Sequence, residues 1–176
     1  MAGFFPKRTF SRRDMLMALA GRMRQDATPA SLTGRDPLAR TIDRLIARED
    51  FEHAADKLRE LLNQSPDHVQ ARRKLGYCLL RTGRHQEAEE AFARILNKHP
   101  RDPFALLYQG VTMAQCDRLS EAVAVWRRYF NTDQPVIQRA VNLQVALFDS
   151  GGPKDGREAA EHILQAVTDQ QTLNQD

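Results

Sequence analysis

Three alanines, Ala54, Ala88 and Ala122, recur at intervals of 34 residues. Each sits in a similar phrase: Glu52-His53-Ala54, Gln86-Glu87-Ala88 and Ser120-Glu121-Ala122. A fixed period of this length constrains the fold more than any single element does, because a repeated unit that cannot bury its apolar face alone buries it by stacking on its neighbours. Four residues after each alanine comes a large apolar side chain, Leu58, Phe92 or Trp126, and three further on stand Leu61, Ile95 and Tyr129. Apolar positions at i, i+4 and i+7 make one stripe along a helix. Gly76 and Gly110, again 34 apart, each precede the matching alanine by 12. A small residue on each of two helices lets them approach closely. Pro66, Pro100 and Pro135 follow the stripes and stop the helices. Gly83, in Arg81-Thr82-Gly83-Arg84, suits the turn between paired helices, because glycine takes a positive φ freely.

The period, the Gly/Ala–Ala–aromatic–Pro pattern and the helix–turn–helix unit resemble the tetratricopeptide repeat family. The likeness is strongest over residues 69–102, continues over 103–135, and is weaker over 35–68, where Ile42 stands in place of the small residue of the first helix. A fourth, irregular pair follows. Its first helix is expected from about Val136 to Asp149, and its second from about Arg157 to Asp169, with Ala160, Leu164 and Val167 at the right mutual spacing. The loop between them, residues 150–156, is longer than the family pattern. The resemblance implies an all-α fold, a helix–turn–helix repeat array of about three and a half to four repeats, that is, an α-solenoid. Glu158, Glu161, Gln165 and Asp169 suit the polar outer face that the end of such an array needs; an uncapped end would let two copies form a homodimer.

The resemblance also implies that the first helices of successive pairs line a concave groove that holds another protein. Asp36, Ala39 and Asp43 would contribute from the first pair. Gln70, Arg73, Tyr77, Leu80 and Arg81 would contribute from the second, and Phe104, Leu107, Tyr108 and Val111 from the third. Family members that grip C-terminal carboxylates use Lys, Asn and Arg in this groove. Here Ala39, Asp43, Tyr77, Phe104 and Tyr108 occupy those places, which argues against a carboxylate clamp. An apolar, aromatic groove with a pair of arginines suits a helical or extended partner segment.

The sequence offers no chemistry of another kind. His53, His68, His85, His99 and His162 show no H-E-x-x-H pattern, and Cys78 and Cys116 show no C-x-x-C spacing. Two lone thiols fit a reducing compartment and small-apolar roles. There is no G-x-S-x-G, no phosphate-loop pattern and no dinucleotide fingerprint. The expectation is a chain that is not an enzyme and uses no cofactor and no metal.

Charge divides the chain. Residues 1–24 hold six basic side chains, Lys7, Arg8, Arg12, Arg13, Arg22 and Arg24, against the single acid Asp14. The net charge is +3, so the remainder is mildly acidic and lacks the basic footprint of a nucleic-acid binder. The longest apolar stretch, Met15 to Gly21, falls far short of the ~20 residues that cross a bilayer. Within the arm, Met15, Leu16, Leu19 and Met23 share one helical side, with Ser11 placed to cap it. Phe10-Ser11-Arg12-Arg13 resembles a twin-arginine export motif, with Met15 where Phe is commonest, but Arg22 and Arg24 cut its apolar core short. Three roles stay open for this arm: docking on a partner protein, lying on an anionic membrane surface, or folding back on the repeats or staying disordered. The expected organisation is a basic amphipathic arm (1–24), a linker (25–37), a repeat domain (38–170) and a disordered tail (171–176). The expected function is a cytoplasmic protein–protein adaptor; the alternatives are a membrane-peripheral or exported repeat factor held by its arm, and an enzyme, a hydrolase or transferase, with no recognisable motif.

Overall fold

The computed structural model describes residues 37–152 and 155–174. The arm and nearly all of the linker, with their docking, membrane and export readings, lie outside the described residues. Among the described residues the structure is all-α, with no strand, as the period predicts. Its helices are α1 (Pro37–Ala47), α2 (Phe51–Gln64), α3 (Val69–Arg81), α4 (His85–Lys98), α5 (Pro103–Gln115), α6 (Leu119–Trp126), α7 (Pro135–Asp149) and α8 (Gly156–Leu173). They pair as α1 with α2, α3 with α4, α5 with α6 and α7 with α8.

Each pair turns on the same backbone device. Glu49, Gly83, Asp117 and Gly151 stand at successive intervals of 34 residues, and all four have positive φ: +58°, +73°, +58° and +75°. Around each, two hydrogen bonds close the preceding helix. The residue after the turn donates five back, as Asp50 N to Leu45 O (2.9 Å), Arg84 N to Leu79 O (2.9 Å), Arg118 N to Met113 O (3.0 Å) and Gly152 N to Leu147 O (2.9 Å). This six-to-one bond satisfies a helix-terminal carbonyl that would otherwise be orphaned. The starts of α3 and α5 are capped by side chains: His68 Nδ1 accepts from Ala71 N (3.1 Å) and Asp102 Oδ1 from Ala105 N (2.9 Å). Burial holds the His68 imidazole below its usual pKa, favouring the neutral form that the cap requires.

The periodic side chains form the core. Ala54, Ala88 and Ala122 are each fully buried, as are Leu58, Phe92 and Trp126. Glycine is required where the aromatic rings cross to the partner helix. A Cβ on Gly76 would lie 2.5 Å from the Phe92 ring, and one on Gly110 would lie 2.1 Å from Trp126 Nε1. That indole N–H donates to Leu107 O (3.2 Å), one turn before Gly110, so its buried polar atom is satisfied. In the first pair the sizes are exchanged: Ile42 occupies the glycine position and Leu58 the aromatic one, both nearly inaccessible. The departure from the family pattern at Ile42 is a redistribution of volume between two facing positions, which cores tolerate.

The fourth pair departs from this order. The last helix starts at Gly156, later than the earlier second helices do after their turns, because extra residues follow Gly151. It packs extensively against α5, whereas α7 rests only lightly on α6. The equivalent earlier pairs, α1 with α4 and α3 with α6, make no contact of comparable extent. At the contact, a Cβ on Gly156 would meet Ala114 O at 2.4 Å, so the start of α8 lies against the backbone at the end of α5. The buried stripe of α8 is Gly156, Ala159, Ala160, Ile163, Ala166 and Gln170. Leu164 and Val167, expected in that stripe, are half-buried beside it. Glu158, Glu161, Gln165 and Asp169 face solvent, the polar outer surface expected of a terminal helix. The expected disordered tail is corrected at its start: residues 171–173 remain helical, with Thr172 Oγ1 donating to Thr168 O (3.1 Å) and Asn174 N to Gln170 O (3.2 Å).

Two substitutions test this account. Gly110→Ala should destabilise the domain by about 1–3 kcal/mol, read from its denaturant midpoint, because the Trp126 ring must move. Glu49→Gly should stabilise it by about 0.5–1 kcal/mol in the same assay, since a glutamate held at positive φ is relieved of its strain.

Candidate functional site

The first helices α1, α3 and α5 carry the residues expected to line the groove. Along α3, Arg73, Tyr77 and Arg81 recur every fourth residue and therefore share one side. The structure leaves Arg73 and Tyr77 half-buried and Arg81 exposed on this side, with Phe104, at the start of α5, half-buried beside them. Lys74 pairs with Asp43 and so joins α3 to α1 along the same face.

Aromatic rings form the floor. Tyr77 meets Phe51 edge-on at 5.9 Å and Tyr108 edge-on at 5.5 Å between ring centroids. Tyr108 in turn lies 4.5 Å from Phe104 and stacks on Phe92 at 6.2 Å. The Arg81 guanidinium sits 4.5 Å above the Phe51 ring and donates to Tyr77 Oη (2.9 Å). Glu49 lies 3.6 Å away from the same guanidinium. A cation held over a ring by a hydrogen bond keeps its charge while losing rotamer freedom, so little ordering remains to be lost on binding. At the other end, Arg73 Nε donates to the buried carboxylate of Asp102 (3.0 Å), which also caps α5. Arg73 is therefore fixed by the next repeat rather than free to swing.

Four of the expected groove residues do not face an occupant. Leu80, Leu107, Tyr108 and Val111 are all buried in helix packing. For the three on α5 the reason lies in that helix, whose residues from Ala105 to Ala114 are buried on every side, in contact with α3, α4, α6 and α8. A helix apolar all round is an interior helix and not one wall of an open groove. Burial also drives the Tyr108 hydroxyl well above its usual pKa, and pushes the Cys78 thiol up to about 11, so neither is a reactive group. The face that remains is narrower than expected: Arg73, Tyr77, Arg81 and Phe104, with the Phe51 ring, itself buried, supporting Arg81 from beneath, a role that sequence reasoning did not assign to it. Phe51 opens a second helix, where groove contacts are not anticipated; its spacing from the turn at Glu49 is the only sequence signal that places it there. Among the described residues no group of three or more His, Cys, Asp or Glu side chains is placed to hold a metal ion, and no helix is long and apolar enough to cross a membrane.

Residues 40–105 match the family model of the tetratricopeptide repeat. No curated protein and no solved structure matches the chain.

Proposed function

We propose that this chain, a tetratricopeptide-repeat array, is a non-catalytic adaptor that grips a helical or extended segment of another protein on the face of α1, α3 and α5. The family's repeats generally mediate protein–protein contact, and the helix pairs here are a rigid scaffold for one. The observation that carries the reading is the Arg81–Phe51–Tyr77 cluster. It is an exposed cation held over a buried ring, Phe51, and beside a half-buried one, Tyr77, side-chain types that dominate binding energy at protein interfaces. Its polar groups are already oriented by one another, so an occupant meets a preformed site. An amphipathic helix suits this surface, its apolar side on Tyr77 and Phe104 and an acid toward Arg81 or Arg73.

The basic arm is a second contact in this proposal. Arg12, Arg13, Met15, Leu16, Leu19 and Met23 supply a charged and apolar docking surface, tethered by residues 25–37. Two modest contacts joined by a short tether reach a joint affinity that neither has alone. Such bivalence suits an assembly or maturation factor that holds a client and then releases it, working in the cytoplasm. The arm's charge also favours a second reading, attachment to an anionic membrane surface, which flotation of the full chain with phosphatidylserine vesicles distinguishes.

The test is quantitative capture from native extract with the full chain, the chain lacking residues 1–24, and a Tyr77→Ala/Arg81→Glu variant. The reading expects one protein to be enriched by the full chain and lost at least about tenfold with the double variant, as truncation of interface anchors does. It expects a smaller loss on removal of the arm. A double variant that melts like the parent and enriches the same protein equally would remove the face from the account.

A further inference from the structure

A basic ridge runs along the edge of the array where the pairs join, away from the Arg81–Phe51–Tyr77 cluster. The end of α4 contributes Arg94 and Lys98, the start of α3 contributes Arg72, and the connection into α5 contributes His99 and Arg101. Two clefts, of about 220 and 490 Å³, open on this edge and share Lys98 and His99, so the ridge is continuous. Arg128, beyond α6, is joined to it by donating to Pro100 O (2.9 Å).

The ridge is short of acids. Its two carboxylates are already engaged: Asp67 pairs with Lys98, and the buried Asp102 is taken by Arg73 and by the α5 backbone. Among the described residues no carboxylate pairs with Arg72, Arg94, Arg101 or Arg128. Elsewhere on the surface Arg59, Arg84, Arg118 and Arg127 each have one, while Arg44, Arg48 and Arg139 have no ion pair among the described residues, so what marks the ridge is that its unpaired arginines are gathered on one edge. Arg72 and Arg128 instead donate to the carbonyls of Pro66 and Pro100. A neutral carbonyl positions a guanidinium without neutralising it, leaving the rest of its donor fork for an anion. Arg72 bears a cost here: burial, and then the charge of Arg94 beside it, both disfavour its charged form. Two residues beyond Arg128, after the buried Tyr129, Phe130 is 74% exposed, the most exposed large apolar side chain among the described residues.

We propose that this ridge is a second interaction surface, which takes an acidic protein segment carrying an apolar side chain. Carboxylates would pair with Arg94, Arg101 and the free forks of Arg72 and Arg128, and the apolar side chain would cover Phe130. Nucleic acid fits less well, because Asp67 and Asp102 would face its phosphates and one exposed ring makes no stacking row. The site does not depend on the Arg81–Phe51–Tyr77 face, and the test separates the two.

The probe is a fluorescein-labelled glutamate peptide with one central leucine, titrated into the full chain at low salt and followed by anisotropy. Arg94→Glu/Arg101→Glu reverses two exposed charges that have no ion pair among the described residues, so its melting curve should match the parent's. The expected result is peptide binding weakened about tenfold or more in that variant, the scale of losing one charged hydrogen bond or more. Binding should also weaken with Phe130→Ser, with rising salt, and when glutamine replaces glutamate in the peptide. Tyr77→Ala/Arg81→Glu should bind the peptide as the parent does, whether or not the first-helix face has a partner. Absence of binding by the parent chain, equal binding by Arg94→Glu/Arg101→Glu, or tighter binding of a single-stranded RNA of equal charge would overturn the proposal.

Discussion

The structure depends on a residue without a side chain meeting an aromatic ring. Gly76 under Phe92, and Gly110 under Trp126, set the distance between the helices of a pair. That distance fixes where the alanines at 88 and 122 can be buried, and hence how these pairs stack on one another. Because each contact is local in sequence, a fixed period reproduces it. The turn at residues 49, 83, 117 and 151 belongs to the same logic: a left-handed residue closes each first helix and reverses the chain within a few residues.

The period persists at the last turn while the packing does not. Gly151 keeps its place, but the longer connection after it lets α8 settle on α5 through Gly156 and Ala114. One consequence is energetic: α5 becomes an interior helix, and Thr112 and Gln109 are buried with it. Thr112 Oγ1 donates back to Tyr108 O (2.7 Å), which satisfies the hydroxyl inside its own helix. The other consequence bears on function. With α5 enclosed, the exposed part of the first-helix face is drawn toward the first two pairs, where Arg81 sits over Phe51.

The pairing of helices was legible because size and spacing encode it directly: Ala88, Phe92 and Gly76 state the contact in their own volumes. The turns were half legible. Gly83 announces a positive φ, whereas Glu49 and Asp117 adopt the same conformation with side chains that disfavour it, so only the interval of 34 residues could have exposed them. The face was legible at Arg73, Tyr77, Arg81 and Phe104, which follow from helical phase. Leu80, Leu107, Tyr108 and Val111 share that phase and are nonetheless buried, Tyr108 among the rings of Tyr77, Phe92 and Phe104, packing that helical phase alone does not reveal. A signal existed in the composition of α5, apolar on every side from Phe104 to Ala114 except at Gln109 and Thr112, which is the mark of an enclosed helix. The basic ridge was not legible, because Arg72 and Arg94 come from the two helices of one pair, Arg101 from the connection to the next and Arg128 from beyond α6, and no local pattern joins them.

The enclosure of α5 by α8 decides how much of the first-helix face is open, and amide hydrogen exchange measures it most directly. The amides of α5 should be among the slowest in the described residues, slower than those of α3, and deleting residues 156–176 should accelerate α5 far more than α3. An α5 that exchanges as fast as the terminal α1, or is unmoved by that deletion, would contradict the enclosed arrangement and restore an open groove along all the first helices.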